Sequence, residues 1–118
     1  MTSHVTTHVL DAVSGAPAVG VGLVLSRRAV SDADADAGLV PVATGVTDAD
    51  GRNRVLGPER LEPGTYRLVF ATGAYFAAQG VATFYPEVLV DFVLEPDREH
   101  VHVPILLSPF AYSTYRGS

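Results

Sequence analysis

His100 and His102 stand two positions apart in a run that alternates like a β-strand, so both rings project from one face of it. A third histidine, His8, lies in another alternating run, Val5 to Leu10, where it shares a face with Thr6 and Leu10. An imidazole with a pKa near about 6.5 can take a proton from water at neutral pH without strong perturbation. Strand histidines also pack half-buried against backbone carbonyls, and the residues alone leave both readings open. Arg52 directly follows the turn pair Asp50-Gly51, where a long cation can reach away from its own strand. Its guanidinium is a planar donor fork suited to a polar ring or to charge developing on an oxygen. Arg54 is two residues further on the same face, and local pattern does not choose between the two arginines.

Composition narrows the chemistry. The chain has no cysteine, and all eight of its Lys+Arg cations are arginine. Thiol nucleophiles, disulfides and zinc-thiolate sites are therefore excluded, as are Schiff bases and P-loop phosphate binding. Ser108-Pro109 and Ser113-Thr114 have none of the Gly-X-Ser-X-Gly context of a serine hydrolase. The simplest remaining reaction uses water activated by histidine. His-X-His with a third histidine is a known zinc pattern, but no acidic residue flanks the pair on its own face. Asp32-Ala33-Asp34-Ala35-Asp36 imitates a calcium loop with its glycine displaced and Ala43 where the closing glutamate belongs. The expectation is no metal, no cofactor, and a solvated acidic loop over 31–37.

The elements that must position these residues are short strands. With 118 residues the expectation is one domain, 1–118, too small to enclose a deep private cleft. A useful pocket would be shallow or shared between subunits, and a hydrophobic fraction of 47% suits an apolar subunit interface. Net charge is −5 with scattered arginines, which argues against nucleic acid. No run reaches the length of a membrane helix and no secretory signal opens the chain, so a soluble, cytoplasmic protein is expected. After the strand 5–10 and a turn at Ser14-Gly15-Ala16-Pro17, a second strand is expected over Val19–Leu25, with Val19, Val21, Leu23 and Leu25 on one face. Further strands are expected over 40–47, 65–70, 87–94, 101–107 and 112–116, with a hairpin signal at Asp50-Gly51 and one helix over 72–80 closed by Gly80. That pattern reads as an all-β antiparallel sandwich.

The chain ends on Tyr112-Ser113-Thr114-Tyr115-Arg116-Gly117-Ser118, which carries more specific chemistry than a frayed terminus usually does. This tail, with Thr7-His8-Val9-Leu10-Asp11, Ser14-Gly15-Ala16-Pro17-Ala18, Thr47-Asp48-Ala49-Asp50-Gly51-Arg52, Gly64-Thr65-Tyr66, Phe84-Tyr85-Pro86-Glu87 and His102 to Pro109, resembles the 5-hydroxyisourate hydrolases of the transthyretin-like family. The resemblance implies a transthyretin-like sandwich of two four-stranded sheets with one short helix, assembled as a homotetramer (a dimer of dimers) with active sites in the channel between dimers. It implies hydrolysis of 5-hydroxyisourate to 2-oxo-4-hydroxy-4-carboxy-5-ureidoimidazoline, with His8, Arg52 and His102 catalytic. Tyr115, Arg116, Gly117 and Ser118 would join His8 and Arg52 in binding substrate, and the resemblance selects Arg52 over Arg54. The competing reading is a transthyretin-like carrier that binds a small molecule in the same channel without catalysis. Val101 stands between the paired histidines where the family usually has an aromatic, and it falls on the opposite face.

Overall fold

A computed structural model describes residues 2–28 and 38–118, so the acidic loop at 31–37 lies outside the described residues. Within them the order is β1 (Val5–Asp11), β2 (Ala16–Pro17), β3 (Gly22–Arg28), β4 (Leu39–Val46), β5 (Arg52–Asn53), β6 (Gly64–Phe70), α1 (Thr72–Ala77), β7 (Val88–Leu94), β8 (Val101–Leu107) and β9 (Tyr112–Thr114). One sheet runs β2-β1-β8-β9, with the two-residue β5 added on β1, and the other runs β4-β3-β6-β7. The result is the expected transthyretin-like sandwich, with five strands rather than four in the first sheet because β5 adds to β1. No described helix is long and apolar enough to cross a membrane.

Alternation makes the two layers. Val5 and Val9 of β1 turn inward with Val101, Val103, Ile105 and Leu107 of β8, to meet Leu23 and Leu25 of β3, Tyr66, Leu68 and Phe70 of β6, and Val88 and Leu94 of β7. Burying each such side chain is worth about 1.5–3 kcal/mol. The opposite, outward face of β1 and β8 carries Thr6, His8, Leu10, His102, Pro104 and Leu106, where Leu10 and Leu106 remain 37% and 42% exposed. Helix α1 closes with paired bonds from the Gly80 amide to Ala77 O and from the Val81 amide to Phe76 O, at a Gly80 φ of 72°. Its Tyr75 hydroxyl donates to Asp11 Oδ2 at 2.7 Å, which fastens the helix to the end of β1.

Three local readings change. The second strand begins at Gly22 and runs to Arg28, because Val19-Gly20 forms a turn that leaves Val19 53% exposed while Val21 is buried. Sequence alternation across Val19–Leu25 does not distinguish that turn from the strand it feeds. All sheet pairings are antiparallel except β1 with β8, which run parallel over seven residue pairs from Val5↔Val101 to Asp11↔Leu107. The Asp50-Gly51 turn forms, yet β5 pairs with β1 instead of folding back on β4. The Asp48 carboxylate accepts the amides of Asp50 and Arg52 at 2.9 and 3.0 Å, bonds that hold it below the usual carboxylate range. The Val9 amide donates to Gly51 O at 2.7 Å, which docks the turn on β1.

Gly51 has a φ of 73°, and a Cβ there would collide with the Val9 carbonyl. Gly51→Ala is expected to destabilise the fold by about 1–3 kcal/mol, a drop readable by thermal unfolding. A variant with an unchanged midpoint would show that the turn is not docked in this way.

Candidate active site

Register gathers the site on the outward face of the β2-β1-β8-β9 sheet. The antiparallel β1–β5 pairing sets Arg52 directly opposite His8, and the parallel β1–β8 pairing sets Thr6 directly opposite His102. His8, Arg52 and His102 therefore reach one surface from three strands. His100 lies on it as expected, its ring stacked with that of His102 at 6.4 Å between centroids and 20° between planes. Both rings meet the buried Thr6 hydroxyl, His102 through Nδ1 and His100 through Nε2, each at 2.9 Å.

The tail continues β9 in register. Thr114 pairs with Ile105, and Gly117 forms an isolated bridge with His102, its amide donating to His102 O at 2.9 Å. Between these pairs stands Pro104, which has no N–H to give the ladder. The ladder lapses there, and the described strand ends at Thr114 rather than at Arg116. Gly117 has a steric reason as well. A Cβ at that position would lie 2.5 Å from Cδ2 of the His102 ring. The tail thus abuts His102 through the one residue without a side chain.

Two open cavities flank the histidine pair. One, of about 260 Å³, takes in His100, His102, Thr114, Tyr115, Arg116 and Gly117. The other, of about 220 Å³, takes in Thr6, Arg52, Arg54, His100, His102 and Ser118. His102 and His100 are the wall between them, so the tail residues expected on one wall are divided. His8 lines neither cavity, although it is paired with Arg52 and electrostatically coupled to it and to His102. Tyr115 stands 66% exposed at the rim. Arg54 lines the second cavity but is exposed, whereas half-buried Arg52 acts on both His8 and His102.

Burial, and next the Arg52 guanidinium, hold His8 below its ordinary imidazole value, against an opposing pull from the backbone carbonyl of Asp50 and the charges of Asp50 and Asp48. His102 is lowered for the same two reasons in the same order, then by His100 and His8, with its bond to the Thr6 backbone acting the other way. Both shifts favour the neutral ring, the form that can accept a proton. Among the described residues no three His, Cys, Asp or Glu side chains gather as a metal site. His4 is the packing histidine: its Nδ1 accepts the Leu61 amide and its Nε2 meets Arg98 O, both at 2.8 Å.

Thr6 is the member that sequence reasoning missed. Its face-sharing with His8 was visible, but its contact with His102 of β8 and with His100 just before that strand depends on the parallel register.

Comparison with known proteins gives one consistent neighbourhood. Residues 5–117 match the model of the HIUase/Transthyretin family. The chain is 46% identical to the 5-hydroxyisourate hydrolase of Caulobacter vibrioides over 98% of its own length and 99% of that protein's. It is 44% identical to that of Mus musculus over 99% and 97%. Among solved structures, Klebsiella pneumoniae 5-hydroxyisourate hydrolase superposes with a TM-score of 0.82 at 37% identity, covering 98% of this chain and all of that one. Sea bream transthyretin in complex with thyroxine superposes at 0.87 and also 37% identity, covering 97% and 94%.

The pKa directions are testable without substrate. Removing the cation in Arg52→Gln raises the midpoints of both His8 and His102, which lie below about 6.5 in the wild type. An imidazole NMR titration reads both. Midpoints that stay put would mean Arg52 does not act on these rings.

Proposed function

Because the chain belongs to the HIUase/Transthyretin family, we propose that it is a 5-hydroxyisourate hydrolase acting through His8, Arg52 and His102. The observation that carries this reading is their convergence on one outward sheet face, where the tail reaches His102 through Gly117. Relatives 40–46% identical over nearly the whole chain and named 5-hydroxyisourate hydrolase support the substrate. The likeness to transthyretin favours a carrier no more than an enzyme, since the sandwich is common to both. A site with two neutral imidazoles beside a guanidinium suits hydrolysis.

In this mechanism His102 is the general base. Its Nδ1 is held by Thr6, which leaves Nε2 to take a proton from water. The water oxygen bonds to a ring carbonyl carbon of 5-hydroxyisourate, and negative charge develops on the carbonyl oxygen. Arg52 stabilises that charge with its donor fork. As the tetrahedral centre collapses, the adjacent C–N bond breaks, the nitrogen takes up the proton that His102 Nε2 had received from water, and 2-oxo-4-hydroxy-4-carboxy-5-ureidoimidazoline is released. His8 orients water or substrate beside Arg52. Tyr115, Arg116, Gly117 and Ser118 complete the substrate's surroundings, and no cofactor takes part.

The site belongs to a homotetramer, a dimer of dimers, of chains that each contribute one domain spanning 1–118. Two cavities of about 260 and 220 Å³ are each open, and the surface around them exposes Leu10, Leu106 and Tyr115. A facing subunit would cover these apolar side chains and narrow the two cavities.

The tail separates this reading from an inert sandwich. Deleting Tyr115 to Ser118 leaves every core strand intact, so thermal unfolding stays near that of the full chain. Hydrolysis of 5-hydroxyisourate is expected to fall at least about a hundredfold, the scale of a misplaced general base. A folded, truncated chain with full turnover would overturn the assignment of the tail to the site.

A further inference from the structure

Thr6 is 4% exposed, and its hydroxyl sits between two imidazole nitrogens, His102 Nδ1 and His100 Nε2, at 2.9 Å from each. A hydroxyl has one hydrogen to donate and lone pairs to accept with. It can donate to at most one ring, so at least one ring must donate to it. The protonation states of the two histidines are thereby tied together. When His102 carries its proton on Nδ1, that proton points at Thr6 Oγ1, the Thr6 hydrogen points at His100 Nε2, and His102 Nε2 is left as a base.

We propose that Thr6 is a positioning residue that fixes His102 in this base-competent form and relays its proton to His100. The transfers balance. As water gives a proton to His102 Nε2, the Nδ1–H bond breaks and an Oγ1–H bond forms. The original Oγ1–H bond breaks in turn, and the proton ends on His100 Nε2. His102 is again neutral and His100 becomes the imidazolium. The asymmetry of the pair suits that direction, because His102 is half-buried while His100 is exposed and its charge can be solvated. His102 stands next to the Arg52 guanidinium, which disfavours a second cation there. Arg54 lines the same cavity, and Glu95, Arg98 and Arg116 line the other cavity bounded by the pair.

The catalytic consequence rests on the hydrolase reading, whereas the coupling is a property of the free chain, so the test has two arms. The first is the 15N NMR signature of the His102 ring at neutral pH in the intact wild type, Thr6→Val and Thr6→Ser. Valine matches threonine in shape but lacks the hydroxyl, and serine restores it. Wild type and Thr6→Ser are expected to hold His102 protonated on Nδ1, and Thr6→Val to give a mixture of tautomers. An unchanged tautomer in Thr6→Val overturns the proposal even if the chain hydrolyses nothing.

The second arm is steady-state turnover of 5-hydroxyisourate. Thr6→Val is expected to lower kcat about tenfold to a hundredfold, the usual effect of losing the partner that orients a functional histidine. KM should stay within about twofold and Thr6→Ser should recover kcat, a split that marks loss of a transition-state interaction. A His100→Leu exchange added to Thr6→Val should cost nothing more, since both remove one relay. A Thr6→Val enzyme with wild-type kcat, a Thr6→Ser enzyme as impaired as Thr6→Val, or additive losses would each overturn it.

Discussion

The site depends on the two edges of β1. Along one edge the strand runs parallel to β8 for seven residue pairs, and along the other it meets β5 over two. Because side chains alternate with a period of two, a slip of one residue in either register would send a side chain of the candidate site to the opposite face. The inward residues Val5, Thr7, Val9 and Asp11 oppose such a slip, since all four are buried. The core thus fixes the phase of the outward residues, and Thr6 and His8 inherit their positions from it. Two-residue β5 has little hold of its own. Its place opposite His8 comes from the Asp48 carboxylate, the left-handed Gly51 and the Gly51 O bond to Val9.

Electrostatics follows from this placement. Two imidazoles and a guanidinium on one partly buried face disfavour further positive charge, so desolvation and Arg52 push both rings in the same direction. That keeps lone pairs available at neutral pH, which a general base requires. The same arrangement gives the Thr6 contact its use. In the proposed mechanism, a half-buried base beside a fixed cation gains from passing its proton to an exposed neighbour.

Much of this was legible in the residues. The His100/His102 pair, the turn before Arg52, the helix closed by Gly80 and the alternation of β1, β6 and β8 were all read correctly from spacing. Local pattern left Arg52 and Arg54 open and only the family resemblance chose Arg52, which the structure places half-buried opposite His8. What stayed hidden is what depends on pairing between distant segments. The parallel partnership of β1 with β8 has no local signature, so neither did Thr6 bridging the two rings. Val19 looked like a strand residue because a turn can share a strand's alternation by chance. The tail announced itself through composition, but its steric basis, a glycine against the His102 ring, required coordinates.

The central claim is that His102, with Arg52 and His8, opens 5-hydroxyisourate by activating water. Freshly generated 5-hydroxyisourate decays on its own, and its ultraviolet absorbance follows that decay directly. Wild-type protein is predicted to accelerate it far beyond the spontaneous rate, and folded His102→Asn protein is predicted to lose most of that acceleration. A decay unchanged by the wild-type chain would contradict the enzyme, and full acceleration by His102→Asn would contradict the base.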